Sequence, residues 1–484
     1  MHKGTVGWSI LIAIPSASPW HGMHAHVFIE RKGKMHLITD QTCVHDPSMG
    51  LNSLVDKDDR SVPLCNLQQC GYTLRDLKAD ARGQDIVIFQ CDMKGAYHLI
   101  PMHPLWQMLQ GAKLPNGSYV INRNNTFGGG ASGCCWWYLM SLFLWVTCYH
   151  FNCQELFDYV VDVFLAAFVD SITLYPWYDQ LMPAPQVRFL HCLDALDVPH
   201  ESPKQLWDYA LMVTGLLVDG NRLLITMPES SHKELLQALE DFVNSGSCAS
   251  HCSCSLCECQ ALAGHVNWAL NVCPRLRPGL ASLYGKMGGP YCSTTTVHLS
   301  AAIVRDLSWL ADRIRTSSGV FMLESIAWRT HEADMVLYTD ACPTGLGFWN
   351  PKLDWGCYSN VVQASNSIPI FFHEACAVIC ALHWLCHSGL QDIHRLVIYS
   401  DNSNTIDIFH SLKVWGYYNE LLKIAVNFLV CFDLDLCVLH IAGVENTIAD
   451  AFSRCQFLLA TQLRPSLSIS EYQPPAEIAG AAMR

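Results

Sequence analysis

Four acidic residues in the last third of the chain lie where a strand ends or a helix begins. Asp340 and Asp401 each end a predicted apolar strand. Glu374 lies in the first turn of a predicted apolar helix, and Asp450 opens a short helix near the C-terminus. Converging carboxylates repel one another unless cations neutralise them, and Mg²⁺ and Mn²⁺ prefer oxygen ligands. The four acids therefore predict a site for two cations, which can activate water and stabilise the leaving oxygen of a phosphodiester.

The elements that must position these acids alternate in a recognisable order. Three strands joined by two hairpins come first, and helices and strands then follow. The predicted strands and helices are, in chain order, strands at 335–340, 345–350 and 354–358, a helix at 372–387, a strand at 395–400, helices at 402–412 and 418–431, a strand at 434–441 and a short helix from 447. This order predicts a mixed sheet covered by helices.

Two further acids in the first half of the chain have similar surroundings. Asp92 ends a predicted buried strand and is followed by the aromatic Tyr97. Asp170 is predicted at the tip of an apolar hairpin over 165–175. A carboxylate at the end of a strand, followed closely by an aromatic side chain, suits a metal-assisted site. Surface strand ends also carry aspartate often, so either acid alone leaves both interpretations open.

Two segments allow alternative interpretations. The window 133–146 is the most apolar part of the chain, but it falls short of the roughly 20 residues that a membrane helix needs. A buried core helix is therefore favoured over a membrane span. Residues 247–259 contain five cysteines whose spacing fits no zinc signature well, because a four-ligand site usually pairs two short spacings across a longer loop. Free thiols are favoured over zinc. The five are Cys248, Cys252, Cys254, Cys257 and Cys259.

Composition bounds the class of protein. A chain of 484 residues is too long for one core, so two to four domains are expected. With 51% hydrophobic and 15% charged residues, the chain is expected to fold. The net charge of -13 argues mildly against nucleic-acid binding, which basic domains favour. The 24 scattered cysteines lack the density of a disulfide scaffold and favour an intracellular protein, cytoplasmic or nuclear. The first 15 residues fit a strand better than a signal peptide.

The four acids stand in motifs that resemble the ribonuclease H domain of retroelement polyproteins. The motifs are Thr339-Asp340-Ala, His373-Glu374-Ala, Ser400-Asp401-Asn402 and a closing segment from His440 to Arg454. The closing segment, His-Ile-Ala-Gly-Val-Glu-Asn-Thr-Ile-Ala-Asp-Ala-Phe-Ser-Arg, is the most specific, although Ala442 replaces the proline of the family pattern. The resemblance implies a domain that cuts the RNA strand of RNA–DNA hybrids with two Mg²⁺ or Mn²⁺ ions.

The front of the chain resembles a reverse transcriptase. Cys91 to Pro104 is similar to the first catalytic motif of the palm, which implies that Asp92 is a metal ligand and that Tyr97 discriminates the sugar of the incoming nucleotide. Phe127-Gly-Gly-Gly-Ala-Ser-Gly133 looks like the start of the template-facing helix. Phe168-Val-Asp170-Ser171 stands where the family has an aromatic-x-Asp-Asp hairpin, and Leu262 to Pro278 resembles the connection of fungal tyrosine-recombinase (DIRS-like) retroelements.

The resemblance extends over about residues 24 to 456 and implies a multidomain α+β and α/β fold. A right-hand polymerase with fingers, palm and a thumb-like connection is expected, followed by the ribonuclease H-like sheet. The expected domains are fingers and palm at 1–228, a helical thumb or connection at 229–333, the ribonuclease H-like domain at 334–456 and a C-terminal tail at 457–484. The implied partners are an RNA–DNA hybrid, a primer-template and dNTPs, with two cations in each active site and no membrane.

Several departures from the family pattern weaken the polymerase half. Ser171 replaces the second aspartate of the hairpin, and a hydroxyl cannot supply the anionic oxygen that helps to hold two cations. His36 stands where the family often has a triphosphate-binding arginine, and His98, Gly130 and Cys257 also replace arginines of relatives. An impaired polymerase beside an intact ribonuclease H is therefore expected. The alternative is a decayed or co-opted retroelement relic that at most binds nucleic acid.

Overall fold

The computed structural model describes most of the chain in two compact units, Met1–Leu224 and Ile225–Arg484. Both units mix helices and strands, so the chain is a multidomain α/β protein. The described residues are 25–31, 34–41, 51–56, 58–62, 67–107, 109–113, 119–153, 156–159, 162–247, 253–288, 295–322, 328–360, 369–414, 416 and 418–479. The side chain of His36 lies outside this description, as do Cys248, Cys252 and the first 15 residues.

Among its described residues, the first unit contains mainly short strands and four α-helices. Its strands are β1 (Ala25–Arg31), β2 (Lys34–Asp40), β3 (Ile86–Asp92), β4 (Gly111–Lys113), β5 (Tyr119–Ile121), β6 (Phe157–Tyr159), β7 (Asp162–Phe168), β8 (Ile172–Tyr175), β9 (Gln180–Pro183), β10 (Leu206–Asp208), β11 (Ala210–Val213) and β12 (Leu216–Asp219), with β13 (Leu224–Thr226) at the boundary. Its helices are α1 (Leu67–Asp80), α2 (Pro104–Gln107), α3 (Ser132–His150) and α4 (Ala184–Ala195).

The main sheet of this unit is antiparallel in the order β10-β3-β7-β6. The apolar residues of β3 and β7 pack with α3 and α4 in one core. The predicted hairpin over 165–175 is wrong, because β7 pairs with β3 and β6 whereas β8 pairs with β9. A 3₁₀ turn at Val169–Ser171 separates β7 from β8, and the short connection after Tyr175 lets β8 form its hairpin with β9 instead.

The apolar window 133–146 lies in α3, as the core-helix prediction required. Only one face of this helix is buried, through Trp136, Met140, Phe143 and Thr147. The large side chains of Tyr138, Leu142, Trp145 and Tyr149 are exposed. In the described part of the chain, one helix, Ile370–His387, is long and apolar enough to cross a membrane, and 67% of its apolar window is buried in the fold, as in core helices.

The second unit contains the helices of residues 229–316 and the predicted mixed sheet. Its helices are α5 (Glu229–Ser247), α6 (Leu256–Ala269), α7 (Ala281–Met287), α8 (Ala301–Thr316), α9 (Ile370–His387), α10 (Ser403–Ser411), α11 (Tyr418–Cys431), α12 (Thr447–Ser453), α13 (Phe457–Leu463) and α14 (Ala476–Ala479). Its strands are β14 (Ser253–Ser255), β15 (Thr296–His298), β16 (Val320–Met322), β17 (Met335–Cys342), β18 (Gly345–Asn350), β19 (Trp355–Asn360), β20 (Arg395–Ser400), β21 (Asp435–His440) and β22 (Ser468–Glu471).

The six-stranded sheet has the order β21-β20-β17-β18-β19-β22. Strands β17, β18 and β19 are antiparallel neighbours, whereas β20 and β21 continue the sheet in parallel from β17. This is the mixed sheet that the sequence predicted. The segment that the sequence left as a tail, 457–484, adds the sixth strand, because β22 pairs in parallel with β19.

Helices cover both faces of this sheet. The buried residues of α9 and α11 pack with β17 and β20 in the larger core. A smaller cluster joins α12 and α13 to Trp349 on the other face. Three glycines, Gly345, Gly347 and Gly356, let α12 lie against the sheet, since a Cβ at any of them would overlap Phe452 or Ser453. The sheet is therefore sandwiched, and α12 is held against it at close range.

The helices before the sheet pack on α11 through buried polar contacts. Lys423 Nζ lies 2.8 Å from an oxygen of Asp306, and both side chains are less than a tenth exposed. Asn419 donates to the carbonyl of Pro278 at 3.0 Å. Trp309 Nε1 donates to Asn427 Oδ1, also at 3.0 Å. These contacts join the predicted connection to the sheet domain within the second unit.

Candidate metal centre

Three of the four predicted acids come together at one edge of the six-stranded sheet. Asp340 lies on β17, and Asp401 directly follows the parallel neighbour β20. Because Tyr338 pairs with Tyr399, the same register places Asp340 opposite Asp401. Glu374, near the start of α9, completes the group. One carboxylate oxygen from each acid lies within 4.8 Å of the others.

Burial and mutual repulsion dominate the electrostatics of this group. Asp340 and Glu374 are each only 4% exposed, and Asp401 is half-buried. Burial, reinforced by Asp340 and Asp401, raises the pKa of Glu374 to about 9. Burial likewise raises the pKa of Asp340 to about 6, with further contributions from Asp401 and Asp450. The cluster therefore favours added positive charge, supplied by protons or by metal ions.

An unpartnered oxygen in this group tests whether a cation fits. Glu374 Oε2 is buried and has no hydrogen-bond partner in the described part of the chain. A buried acceptor without a partner is costly, and a cation would satisfy it. The donor set consists only of carboxylate oxygens, which suits Mg²⁺ or Mn²⁺ better than a metal that prefers nitrogen or sulfur. The residues present therefore fit the predicted cations.

Asp450 lies beside this cluster and not within it. Its Oδ1 accepts a hydrogen bond from Arg454 Nε at 2.6 Å, one helical turn later on α12. Its side chain is 39% exposed, although it lies close enough to raise the pKa of Asp340. The predicted four-acid cluster is thus corrected to three acids with a fourth nearby, because Arg454 already neutralises Asp450.

Residues of the closing segment support the acids in ways that the sequence motif did not specify. Ser453 donates its hydroxyl to Asp340 Oδ2, which fixes that carboxylate. Asn446 is buried and donates to the carbonyl of Thr339 at 2.9 Å. A Cβ added at Gly443 would lie 3.0 Å from Asp401 Oδ2, so this loop passes directly beside the acid. The spacing of the motif indicated these residues, but only their contacts give them a role.

The structure does not bring Asp92 and Asp170 together, which corrects their assignment to one metal site. Asp92 ends β3, and Asp170 follows β7 in the 3₁₀ turn. The two strands are antiparallel, with Asp92 opposite Asp162 and Ile86 opposite Phe168. Six residues of strand separate the two ends, which corresponds to about 20 Å. The sequence identified the strand that ends at Asp92, but it placed Asp170 at a hairpin tip, where the structure has a turn between two strands of different sheets.

Each of these acids has a different partner. Lys204 Nζ lies 2.8 Å from Asp92 Oδ2, a contact that the sequence did not indicate. Gln84 donates to Asp170 at 2.5 Å. Ser171 donates its hydroxyl to the carbonyl of Phe168, so it stabilises the local turn.

Tyr97 lies close to the glycine-rich motif of residues 127–133. Its ring centroid is 4.9 Å from that of Phe127 and 6.3 Å from that of Trp136. A Cβ at Gly133 would lie 3.8 Å from its hydroxyl. Burial raises the pKa of the Tyr97 phenol. Its role toward an incoming nucleotide stays a prediction.

Within the described residues, no group of possible metal ligands supports the zinc alternative for the cysteine-rich segment. Cys254, Cys257 and Cys259 are described, and none of them belongs to a group of three possible ligands there. Cys254 and Cys259 instead contact each other.

Comparison with known proteins yields only distant structural matches. No family model and no curated protein matches the chain. A foamy viral protease-reverse transcriptase in complex with double-stranded DNA matches with a TM-score of 0.42 and 12% identity, over 89% of this chain and 67% of that one. The foamy viral enzyme with an RNA/DNA hybrid matches at 0.41 and 11% identity, over 87% of this chain and 50% of that one. A second foamy viral protease-reverse transcriptase in complex with double-stranded DNA matches with a TM-score of 0.41 and 12% identity, over 90% of this chain and 80% of that one. At these TM-scores the matches carry no inference about this chain.

Proposed function

We propose that this chain is a reverse transcriptase–ribonuclease H segment of a retroelement, whose surviving activity is cleavage of the RNA strand in RNA–DNA hybrids. The observation that carries the proposal is the convergence of Asp340, Glu374 and Asp401, with one buried carboxylate oxygen left without a partner. The sequence motifs around these acids supply the substrate class. A hybrid would be recognised through its backbone shape more than its base sequence.

The acidic residues of the site would bind the cations, and neighbouring residues would support them. Asp340, Glu374 and Asp401 would hold Mg²⁺ or Mn²⁺, and Asp450 would join them only by giving up its ion pair with Arg454. The bound ions would supply activation of water and stabilisation of the leaving oxygen. Ser453 keeps one Asp340 oxygen oriented, which favours cation binding. A bound cation would take the place of the proton that buried Glu374 otherwise holds near neutral pH.

Hybrid cleavage tests this proposal directly. The full chain with Mg²⁺ is expected to cut the RNA strand of a labelled hybrid, and EDTA or Asp401→Asn is expected to abolish cleavage. The control Asp407→Asn makes the same change at an exposed position on α10 and should keep full activity. Absence of cleavage by the unmodified chain, with retained hybrid binding by fluorescence anisotropy, would favour the relic alternative instead.

Polymerase chemistry is not part of the proposed surviving activity. In the described residues Asp92 is paired with Lys204, and Asp170 lies at the other end of the β3–β7 pair. Primer extension with dNTPs and Mg²⁺ is therefore expected to fail, and Ser171→Asp should not restore it because the added carboxylate would remain far from Asp92. Extension by the Ser171→Asp variant would contradict this separation of the two acids.

A further inference from the structure

The cysteine-rich segment brings two thiols into direct contact. Cys254 lies on β14, and Cys259 lies at the start of α6, five residues later. Their sulfur atoms are 3.0 Å apart, about 1 Å more than a disulfide bond. Cys259 is fully buried and Cys254 is half-buried. We propose that Cys254 and Cys259 form a reversible intramolecular disulfide, so that this corner of the connection is a redox modification site.

The surrounding contacts hold the two sulfur atoms in place. Cys254 pairs with Val297 across the β14–β15 ladder. Ser255 caps α6 in a reciprocal capping box with Glu258, which fixes the turn between the two cysteines. Leu256 N donates to the carbonyl of Thr295 at 2.8 Å, which ties the same turn to the segment before β15. Formation of the bond therefore requires little movement of the backbone.

The exposure of each thiol sets the order of the chemistry. The thiolate of half-buried Cys254 attacks one sulfur of a small-molecule disulfide such as glutathione disulfide, and the first glutathione thiolate leaves and takes up a proton. The thiolate of Cys259 then attacks the Cys254 sulfur of the mixed disulfide and displaces the second glutathione. Two protein thiols are oxidised and one glutathione disulfide is reduced to two glutathione molecules.

The same burial slows the formation of the bond. Burial raises the pKa of Cys259 to about 12 and also raises the pKa of Cys254. Few thiolates are then present near neutral pH, so exchange with glutathione disulfide is slow and needs a long incubation or a mildly alkaline buffer. Cys257 lies between the two in sequence but is exposed, which makes it a matched control.

Peptide mapping of the full chain tests this site. After incubation with glutathione disulfide and alkylation of the remaining thiols, a protease that cuts after glutamate cleaves at Glu258, between the two cysteines. The expected product is the peptide ending at Glu258 joined through Cys254 to the peptide that begins with Cys259. Dithiothreitol should separate them. The joined product should disappear in Cys254→Ser and persist in Cys257→Ser.

Two results would overturn the assignment. One is the absence of joined peptides from the oxidised unmodified chain, a measurement that needs no variant to fold. The other is a joined product in Cys254→Ser that fragmentation places on Cys257. The outcome is independent of hybrid cleavage, because neither thiol belongs to the acidic cluster.

Discussion

Replacement of Glu374 by glutamine should stabilise the metal-free protein while it removes metal binding. In the folded chain the pKa of this carboxyl is raised from 4.5 to about 9. The folded state therefore keeps a proton that the unfolded state has lost, and the free energy of unfolding falls as the pH rises from about 4.5 to about 9. At about pH 7.5 the proton uptake costs about 4 kcal/mol, from about 1.4 kcal/mol per pH unit.

Glutamine needs no such proton, so most of this cost should disappear in Glu374→Gln. The new amide nitrogen would be a buried donor without a hydrogen-bond partner, which would destabilise the folded state by about 1–2 kcal/mol. A net stabilisation of about 2–3 kcal/mol in EDTA should raise the unfolding midpoint by about 5–10 °C. Added Mg²⁺ should stabilise the unmodified protein much more than the variant, because the variant has lost one ligand.

Calorimetry over a pH series, with EDTA and with Mg²⁺, measures both effects. Glu234→Gln makes the same change at an exposed position on α5 and should leave the midpoint unchanged in both solutions. The stability difference between Glu374→Gln and the unmodified chain should shrink toward pH 5. If Glu374→Gln lowers the midpoint in EDTA, or if the difference does not depend on pH, the electrostatic account of the cluster is wrong.

Two further substitutions test the support of the site and of the unit around it. Gly443→Ala should crowd Asp401 Oδ2, because the added Cβ would lie 3.0 Å from that oxygen. Hybrid cleavage should fall by about tenfold, with little change of the unfolding midpoint in EDTA. Full activity would show that the Asp401 side chain moves aside without cost. Lys423→Met should leave Asp306 buried without its cation and cost about 3–5 kcal/mol in urea unfolding. Exposed Lys233→Met is the control, and an equal loss in both variants would contradict the role assigned to burial.

The candidate site was largely predictable because its signals are local. A lone acid after an apolar strand, repeated on parallel neighbours, needs only the sheet order to bring Asp340 and Asp401 together. The exception is Asp450, for which sequence position gave the location but not the competing ion pair with Arg454. Whether a nearby acid binds a cation or an arginine depends on side-chain geometry that spacing does not encode.

The unpredicted features depend on partners distant in sequence. The pattern around Asp170 indicated apolar strands on either side of it but not their partners, because an apolar strand can pair with any neighbour of similar burial. Strand β7 pairs antiparallel with β3, and this pairing places Asp170 at the opposite end of the two strands from Asp92. Similarly, Ser468–Glu471 is too short and polar to stand out, and its partner β19 lies more than a hundred residues earlier.

The sixth strand has a consequence for truncation of this protein. A chain shortened to residue 456, where the sequence resemblance ends, would leave β19 as an open edge with unpaired backbone donors and acceptors. It would also lose the side-chain bonds from Trp355 to Ser470 and between Tyr472 and His383. Open edges recruit strands from other molecules. The shortened domain would therefore be prone to self-association, even though all four acids are retained.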